Sequence, residues 1–132
     1  MTTGGRPEVR LPLRFRDVDA FGHVYHAEYL TLLDEARTRW FRETAALEEP
    51  GAYVVARIEI DYLSSLVLDD TEAVATFAVE RVGTSSLTLT ETLAAPDGRV
   101  AARVRSVTVR RDLAAGRSRP LTDAERDRLD RA

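Results

Sequence analysis

Residues 16–37 read Arg16-Asp17-Val18-Asp19-Ala20-Phe21-Gly22-His23-Val24-Tyr25-His26-Ala27-Glu28-Tyr29-Leu30-Thr31-Leu32-Leu33-Asp34-Glu35-Ala36-Arg37. Two acids precede the turn signal Phe21-Gly22, and an apolar periodic run begins at Val24 or Tyr25. The reading therefore puts a carboxylate beside a helix N-terminus, whose free N–H groups and positive dipole end attract developing negative charge. An acid that attacks or activates water, next to donors that hold an oxyanion, suits hydrolysis of an acyl group.

Outward from this stretch the pattern sorts into elements. Leu11, Leu13 and Phe15 alternate as a first strand, with Pro12 suited to a strand start or an edge. From His26 to about Ala46 the spacing is helical: Tyr29, Leu33, Ala36 and Trp40 form a stripe that Leu30, Leu32 and Phe41 widen. After Pro50-Gly51 the period becomes two, with Ala56, Ile58, Ile60 and Tyr62 on one face and Arg57, Glu59 and Asp61 on the other. Further strands are predicted over 73–82, 87–93 and 100–111, separated by Gly83-Thr84-Ser85 and Pro96-Asp97-Gly98. In the last strand the apolar phase shifts between Val104 and Val107, which predicts a bulge near Arg105-Ser106 or burial of both faces. Thr122-Asp123-Ala124-Glu125 is a capping-box sequence that opens a short helix to about Arg131.

The predicted architecture is α+β, a five-stranded antiparallel sheet with one long helix on a single face. Its 132 residues, 44% of them apolar, suit one domain over 1–132, with disorder expected over 1–7. Edges and a second face left uncovered by one helix predict self-association. The 19 basic and 22 acidic residues leave a net charge of −3, which favours neither nucleic acid nor an anionic membrane. Every basic residue is Arg, so phosphate contacts would use guanidinium or backbone groups. Cysteine is absent, which excludes disulfides, thiolate catalysis and thiolate metal sites. No apolar leader or membrane-spanning run is visible, and the expectation is a soluble, cytoplasmic protein without membrane insertion.

Three segments carry a family resemblance: Asp17-Val18-Asp19-Ala20-Phe21-Gly22, then Val24-Tyr25-His26-Ala27-Glu28-Tyr29, then Glu35-Ala36-Arg37. Together they resemble the hotdog-fold thioesterases, in particular the 4-hydroxybenzoyl-CoA thioesterase family and its Tol-Pal-associated acyl-CoA thioesterase relatives. The resemblance implies a hotdog fold, the sheet wrapped around one central helix, and hydrolysis of an acyl-CoA or acyl carrier protein thioester. It makes Asp19 the catalytic carboxylate, as nucleophile through a mixed anhydride or as general base on water. It places the oxyanion donor at the backbone N–H around His26, with the His26 side chain as a second catalytic candidate. Tyr25 and Tyr29 join the substrate site, and Arg81, Thr84, Ser85 and Ser86 would lie near the nucleotide end of coenzyme A. The active sites of such proteins form at subunit interfaces, which implies a homodimer and a dimer of dimers. No metal or cofactor is implied beyond the coenzyme A carried by the substrate. His23 follows a neighbouring branch of the fold while Tyr25-His26 follows the Tol-Pal-associated type, so the chain mixes two patterns.

Each of these residues also has a simpler role open to it. Asp19 would serve as a helix or turn cap, Asp17 as a loop acid with local hydrogen bonds, and the 84–86 segment as a turn alone. Arg37 falls inside the apolar stripe and needs a partner, either Asp34 or a carboxylate from elsewhere, unless it meets substrate or an interface. Glu35 is predicted to pair with Arg39. A metal set of Asp19, His23 and His26 is conceivable from residue types, but the resemblance gives it no support. Two alternatives to hydrolysis are a non-catalytic acyl-CoA-binding module and a hotdog dehydratase.

Overall fold

A computed structural model describes residues 7–132, so the disorder expected over 1–7 falls, but for Pro7, outside the described residues. Strand β1 (Glu8–Pro12) leads through a short 3-10 turn and a hairpin loop into helix α1 (Glu28–Glu43). Strands β2 (Tyr53–Tyr62), β3 (Glu72–Val82), β4 (Ser86–Ala94) and β5 (Val100–Asp112) follow. A two-residue β6 (Arg117–Ser118) and helix α2 (Asp123–Arg131) end the chain. The five long strands form an antiparallel sheet in the order β1-β3-β4-β5-β2, and β6 adds only a short hairpin to β5. Residues 63–71 must therefore carry the chain from one side of the sheet to the other.

Two expected boundaries move. The first strand stops at Pro12, and Phe15 lies in the 3-10 turn with its side chain in solvent; the inward residues here are Val9, Leu11 and Leu13. Helix α1 starts at Glu28 rather than His26, behind Ala27, which supplies no side-chain cap. Its buried stripe is Tyr29, Leu32, Leu33, Ala36, Arg37, Trp40 and Phe41, at alternating offsets of three and four. Leu30, read as part of that stripe, is instead exposed.

The phase shift in β5 has a different cause from a bulge at Arg105-Ser106. The inward row runs without interruption through Ala102, Val104, Ser106, Thr108 and Arg110, and only its chemistry changes from apolar to polar. The irregularities lie near Ala101, where β5 slips against β4, at Ala56 in β2 and at Glu80 in β3. Val107 and Val109 point to the opposite face and are half-buried.

Most of the polar inward residues meet a charged partner. Arg37, 4% exposed, donates from Nε and one terminal nitrogen to the two oxygens of the fully buried Glu91 on β4, at 2.6 and 2.8 Å. Ser106 adds a 2.6 Å bond to the same carboxylate, and Asp34 accepts the remaining Arg37 nitrogen at 3.2 Å. Toward the other end, Glu125 of α2 accepts from Thr122 N, Arg119, Arg110 and the Tyr53 hydroxyl. The Thr122–Glu125 capping box forms as its sequence predicts. Glu35 pairs with Arg39 on the exposed side of α1, at 3.6 Å.

Part of the outer face of the sheet carries paired charges. Arg105 bonds Glu80 at 2.7 Å and lies 3.8 Å from Glu59, which in turn meets Arg57 at 3.3 Å. Of the exposed large apolar side chains, Leu30, Val54, Val55, Tyr62 and Leu63 lie around β2 and its exit, while Phe15, Phe21 and Tyr25 lie in the segment before α1 and Leu113 follows β5. Among the described residues, β2 has a strand partner on one edge only.

Glu91→Ala should lower the unfolding free energy by about 3 kcal/mol in urea titrations, because it strands the Arg37 charge in the core. The double substitution Arg37→Met with Glu91→Leu should recover most of that loss. Burial alone would raise the Glu125 carboxyl, but Thr122 N, Tyr53, Arg110 and Arg119 together hold it down at about 2. A carboxylate lowered in the folded state stabilises fully above its unfolded value near 4.5 and loses that contribution as pH falls toward 2. Urea midpoints between pH 5 and 2.5 should fall more steeply for the wild-type chain than for Glu125→Gln, which should already be weakened at pH 7.

Candidate active site

The segment before α1 folds back on itself as a narrow hairpin. Tyr25 N donates to Asp17 O at 2.9 Å, Val18 bridges to Val24, and Asp19 N donates to His23 O at 2.8 Å. The turn 20–22 closes this hairpin with Gly22 at φ 81°, a backbone region that suits glycine. The second arm is tied to the crossover, since Val24 N bonds Leu66 O at 2.8 Å and His23 bridges to Val67. Two acids close in sequence thereby acquire opposite environments.

Asp17 is fully buried and structural. Its carboxylate accepts Arg14 N at 2.8 Å and the Arg14 guanidinium at 3.1 and 3.3 Å. Burial works to raise its pKa, but the Arg14 contacts outweigh that and hold it below the usual carboxylate range. Asp19 is exposed, and its Oδ1 accepts Phe21 N at 2.9 Å and His23 N at 3.2 Å. It caps the turn of the hairpin and not the helix, and its carboxylate is steered through one oxygen on an exposed residue.

Past the hairpin, backbone donors are left over. Tyr25 N is taken by Asp17 O, Glu28 N by Tyr25 O at 2.8 Å, Tyr29 N by His26 O at 3.3 Å and Leu30 N by Ala27 O at 3.2 Å. The N–H groups of His26 and Ala27 donate to nothing among the described residues, and both residues are exposed. They stand at the positive end of a 16-residue helix. Asp19 pairs with His23 on the hairpin, and Tyr25 lies two residues further along that arm, about 7 Å by strand rise.

A pocket of about 330 Å³ opens beside these donors, lined by Val24, His26, Tyr29, Tyr62, Leu63, Ser64 and Ser65. Tyr29 is buried and works as a strut: its hydroxyl accepts Leu66 N at 3.0 Å and donates to Ser64 O at 3.4 Å. Tyr25 is half-exposed, its ring 4.5 Å from that of His26. Tyr62, which strand periodicity alone places on one face of β2, reaches this pocket from the last position of the strand and bonds His26 O at 3.0 Å. An aromatic residue at a strand end was the only sequence signal for it, and one too general to single it out.

The remaining candidates lie elsewhere. Arg81, Thr84, Ser85 and Ser86 sit at the end of β3 and the start of β4, at the C-terminal end of α1, roughly 24 Å of helix from His26. Gly83 N bonds Ser86 O at 2.7 Å, and a Cβ at position 83 would stand 2.4 Å from Ser86 Oγ, so the tight turn favours glycine. Its carbonyls are held by α2, the segment before it and β5: Arg126 bonds Gly83 O at 2.9 Å, Leu121 N bonds Thr84 O at 2.9 Å and Arg110 N bonds Ser85 O at 2.8 Å. Arg81 is exposed on a groove of about 750 Å³ that it shares with Trp40, Phe77, Arg126 and Leu129. Within one chain, the 81–86 region and the Asp19–His26 region do not meet. Asp19, His23 and His26 do not gather into a metal-binding cluster, nor do any three His, Asp or Glu among the described residues. No helix among the described residues is long and apolar enough to cross a membrane.

Comparison with known proteins gives this geometry a family. A thioesterase from Thermus thermophilus, crystallised with coenzyme A and Zn, is 37% identical and superposes with a TM-score of 0.84 over 96% of this chain and 94% of that one. A predicted thioesterase from Bacillus stearothermophilus is 25% identical, with a TM-score of 0.82 over 93% and 92%. The acyl-CoA thioesterase YbgC of Haemophilus influenzae is 38% identical over 79 residues, 55% of this chain. That match spans 58% of the length of the curated relative. The family model of the thioesterase-like superfamily matches residues 13–129, from the end of β1 into α2, and the chain belongs to that superfamily and has its hotdog fold.

Proposed function

We propose that the protein hydrolyses an acyl-CoA thioester to the free acid and coenzyme A, with the chemistry between Asp19 and the N-terminus of α1. The observation that carries this reading is the pair of unspent N–H groups at His26 and Ala27 on the same hairpin–helix unit as a carboxylate held by one oxygen. Donors fixed in advance at a helix start stabilise charge that develops on the thioester oxygen. The other oxygen of Asp19 then either attacks the carbonyl carbon, expelling the CoA thiolate and leaving a mixed anhydride for water to cleave, or removes a proton from attacking water. The names of the YbgC relatives and the coenzyme A bound in the Thermus structure support a CoA ester; an acyl carrier protein ester is the second donor to test. A role for the His26 side chain in orienting substrate or water belongs to the same reading, as does contact of Tyr25 and Tyr29 with the acyl or pantetheine portion. A CoA ester as substrate fits the cytoplasmic location expected from the sequence.

The distance between the two halves of the candidate site supports a dimeric enzyme. If the free edges of two β2 strands pair antiparallel, the Tyr53 end of one copy lies against the Tyr62 end of the other. That arrangement carries Arg81, Thr84, Ser85 and Ser86 of a second copy to the end where Asp19 and His26 stand, and the Arg81 guanidinium becomes available to a CoA phosphate. It also buries Val54, Val55, Tyr62, Leu63 and Leu30, the exposed apolar groups around β2. A further pairing of dimers is the assembly we propose above this one.

Asp19→Asn should abolish thiol release from acyl-CoAs, by about a thousandfold or more in kcat, while CoA affinity measured by calorimetry stays within a few-fold; unchanged turnover would remove Asp19 from the chemistry, and CoA binding without turnover in the wild-type chain would favour a non-catalytic module. Val55→Pro, which obstructs the β2 edge, should shift sedimentation from dimer or larger to monomer and eliminate turnover with it. A variant that sediments unchanged would contradict assembly through β2.

A further inference from the structure

The pocket beside the helix start contains a group that neither the hairpin nor the carboxylate chemistry accounts for. Tyr62 closes β2 and is 46% exposed, yet its hydroxyl donates to the His26 carbonyl at 3.0 Å. The same carbonyl accepts Tyr29 N at 3.3 Å, so it is held from two directions. None of the peptide bonds among the described residues is cis, and in a trans peptide the C=O and N–H point in opposite directions. A donor on the His26 oxygen therefore fixes the Ala27 N–H of the same peptide and leaves it facing away from Tyr62, toward solvent. Accepting hydrogen bonds at the oxygen also polarises the peptide and strengthens its N–H as a donor.

From this we infer that Tyr62 is a positioning residue for the oxyanion site: its hydroxyl holds and polarises the His26–Ala27 peptide so that the Ala27 N–H receives the charge that develops on the thioester oxygen. This rests on the thioesterase reading above. Tyr62 touches no reacting atom and acts only through the peptide. Its own orientation is set by aromatic packing, with the Tyr29 ring 5.1 Å away edge to face and the His26 ring 6.2 Å away near the perpendicular. The burial that comes with this packing, and Tyr29 beside it, raise the Tyr62 pKa, so the hydroxyl keeps its proton across the working range of pH.

Tyr62→Phe removes the hydroxyl and keeps the ring. In acyl-CoA hydrolysis followed by thiol release, kcat should fall roughly three- to tenfold, the range expected for one ordinary hydrogen bond, with KM and the thermal midpoint unchanged. Independently of activity, the Ala27 amide proton should move upfield in the 15N-edited NMR spectrum of the variant, because its peptide loses a polarising donor. A wild-type kcat, a change shared equally by kcat and KM, or an unmoved Ala27 amide would each overturn the inference while leaving the thioesterase reading standing. A wild-type chain that releases no thiol from any acyl-CoA or acyl carrier protein ester would overturn both.

Discussion

The bidentate pair between Arg37 and Glu91 governs how α1 sits in the sheet. An ion pair taken out of water costs several kcal/mol per charge, and only close, fully satisfied geometry offsets that. Here both carboxylate oxygens are bonded by the guanidinium and one also by Ser106, while Asp34 takes a further Arg37 nitrogen. Close packing of Tyr29, Leu32, Leu33, Trp40 and Phe41 already restricts the helix to a few interdigitated positions, and leaves some freedom among them. A fork of hydrogen bonds to one residue in β4 removes that freedom. The helix N-terminus, with the His26 and Ala27 N–H groups, is held locally as well, by Val24 N on Leu66 O, by the Tyr29 hydroxyl between Ser64 O and Leu66 N, and by the Tyr62 hydroxyl on His26 O.

At the other end of α1 a second buried carboxylate does similar work for α2. Glu125 gathers Tyr53 from β2, Arg110 from β5 and Arg119 from the approach to α2, and so joins three parts of the chain at one point. The inward row of β5 is polar because it serves both clusters, Ser106 the first and Arg110 the second. Thr108 lies between them, buried, with no partner for its hydroxyl among the described residues. The sheet thus carries its fixed charges on the concave side and a self-paired charge ladder on the convex side. One group of its exposed apolar residues lies around β2.

Sequence patterning resolved the elements well where period and chemistry agreed. The stripe of α1 apart from Leu30, the strands β2 to β4 and the capping box at Thr122 each combine a repeat with a local signal, and each is present in the structure. Of its two readings of β5, the bulge at Arg105-Ser106 fails, because periodicity assumes that inward means apolar and Ser106, Thr108 and Arg110 break that assumption, while burial on both faces is met in part by the half-buried Val107 and Val109. Patterning anticipated a carboxylate partner for Arg37 from burial alone, but the choice of Glu91, 54 residues away, depends on a pairing of elements that no local pattern encodes. The hairpin around Asp19 was readable as a turn following two acids. The contrast between buried Asp17 and exposed Asp19 was not legible in the local pattern, and only the family motif singled out Asp19 as the candidate. Tyr62 was invisible as a site residue because its role depends on where a strand end meets a helix start.

The central claim is that the reacting carbonyl sits at the N-terminus of α1, within reach of Asp19. It is tested most directly by titrating the 15N-labelled protein with a non-hydrolysable CoA thioether carrying a ketone in place of the thioester carbonyl. The His26 and Ala27 amides should show the largest downfield proton shifts, accompanied by movement in the hairpin at Asp19. Saturable binding with those amides unmoved, and shifts confined to the groove around Trp40 and Phe77, would contradict it.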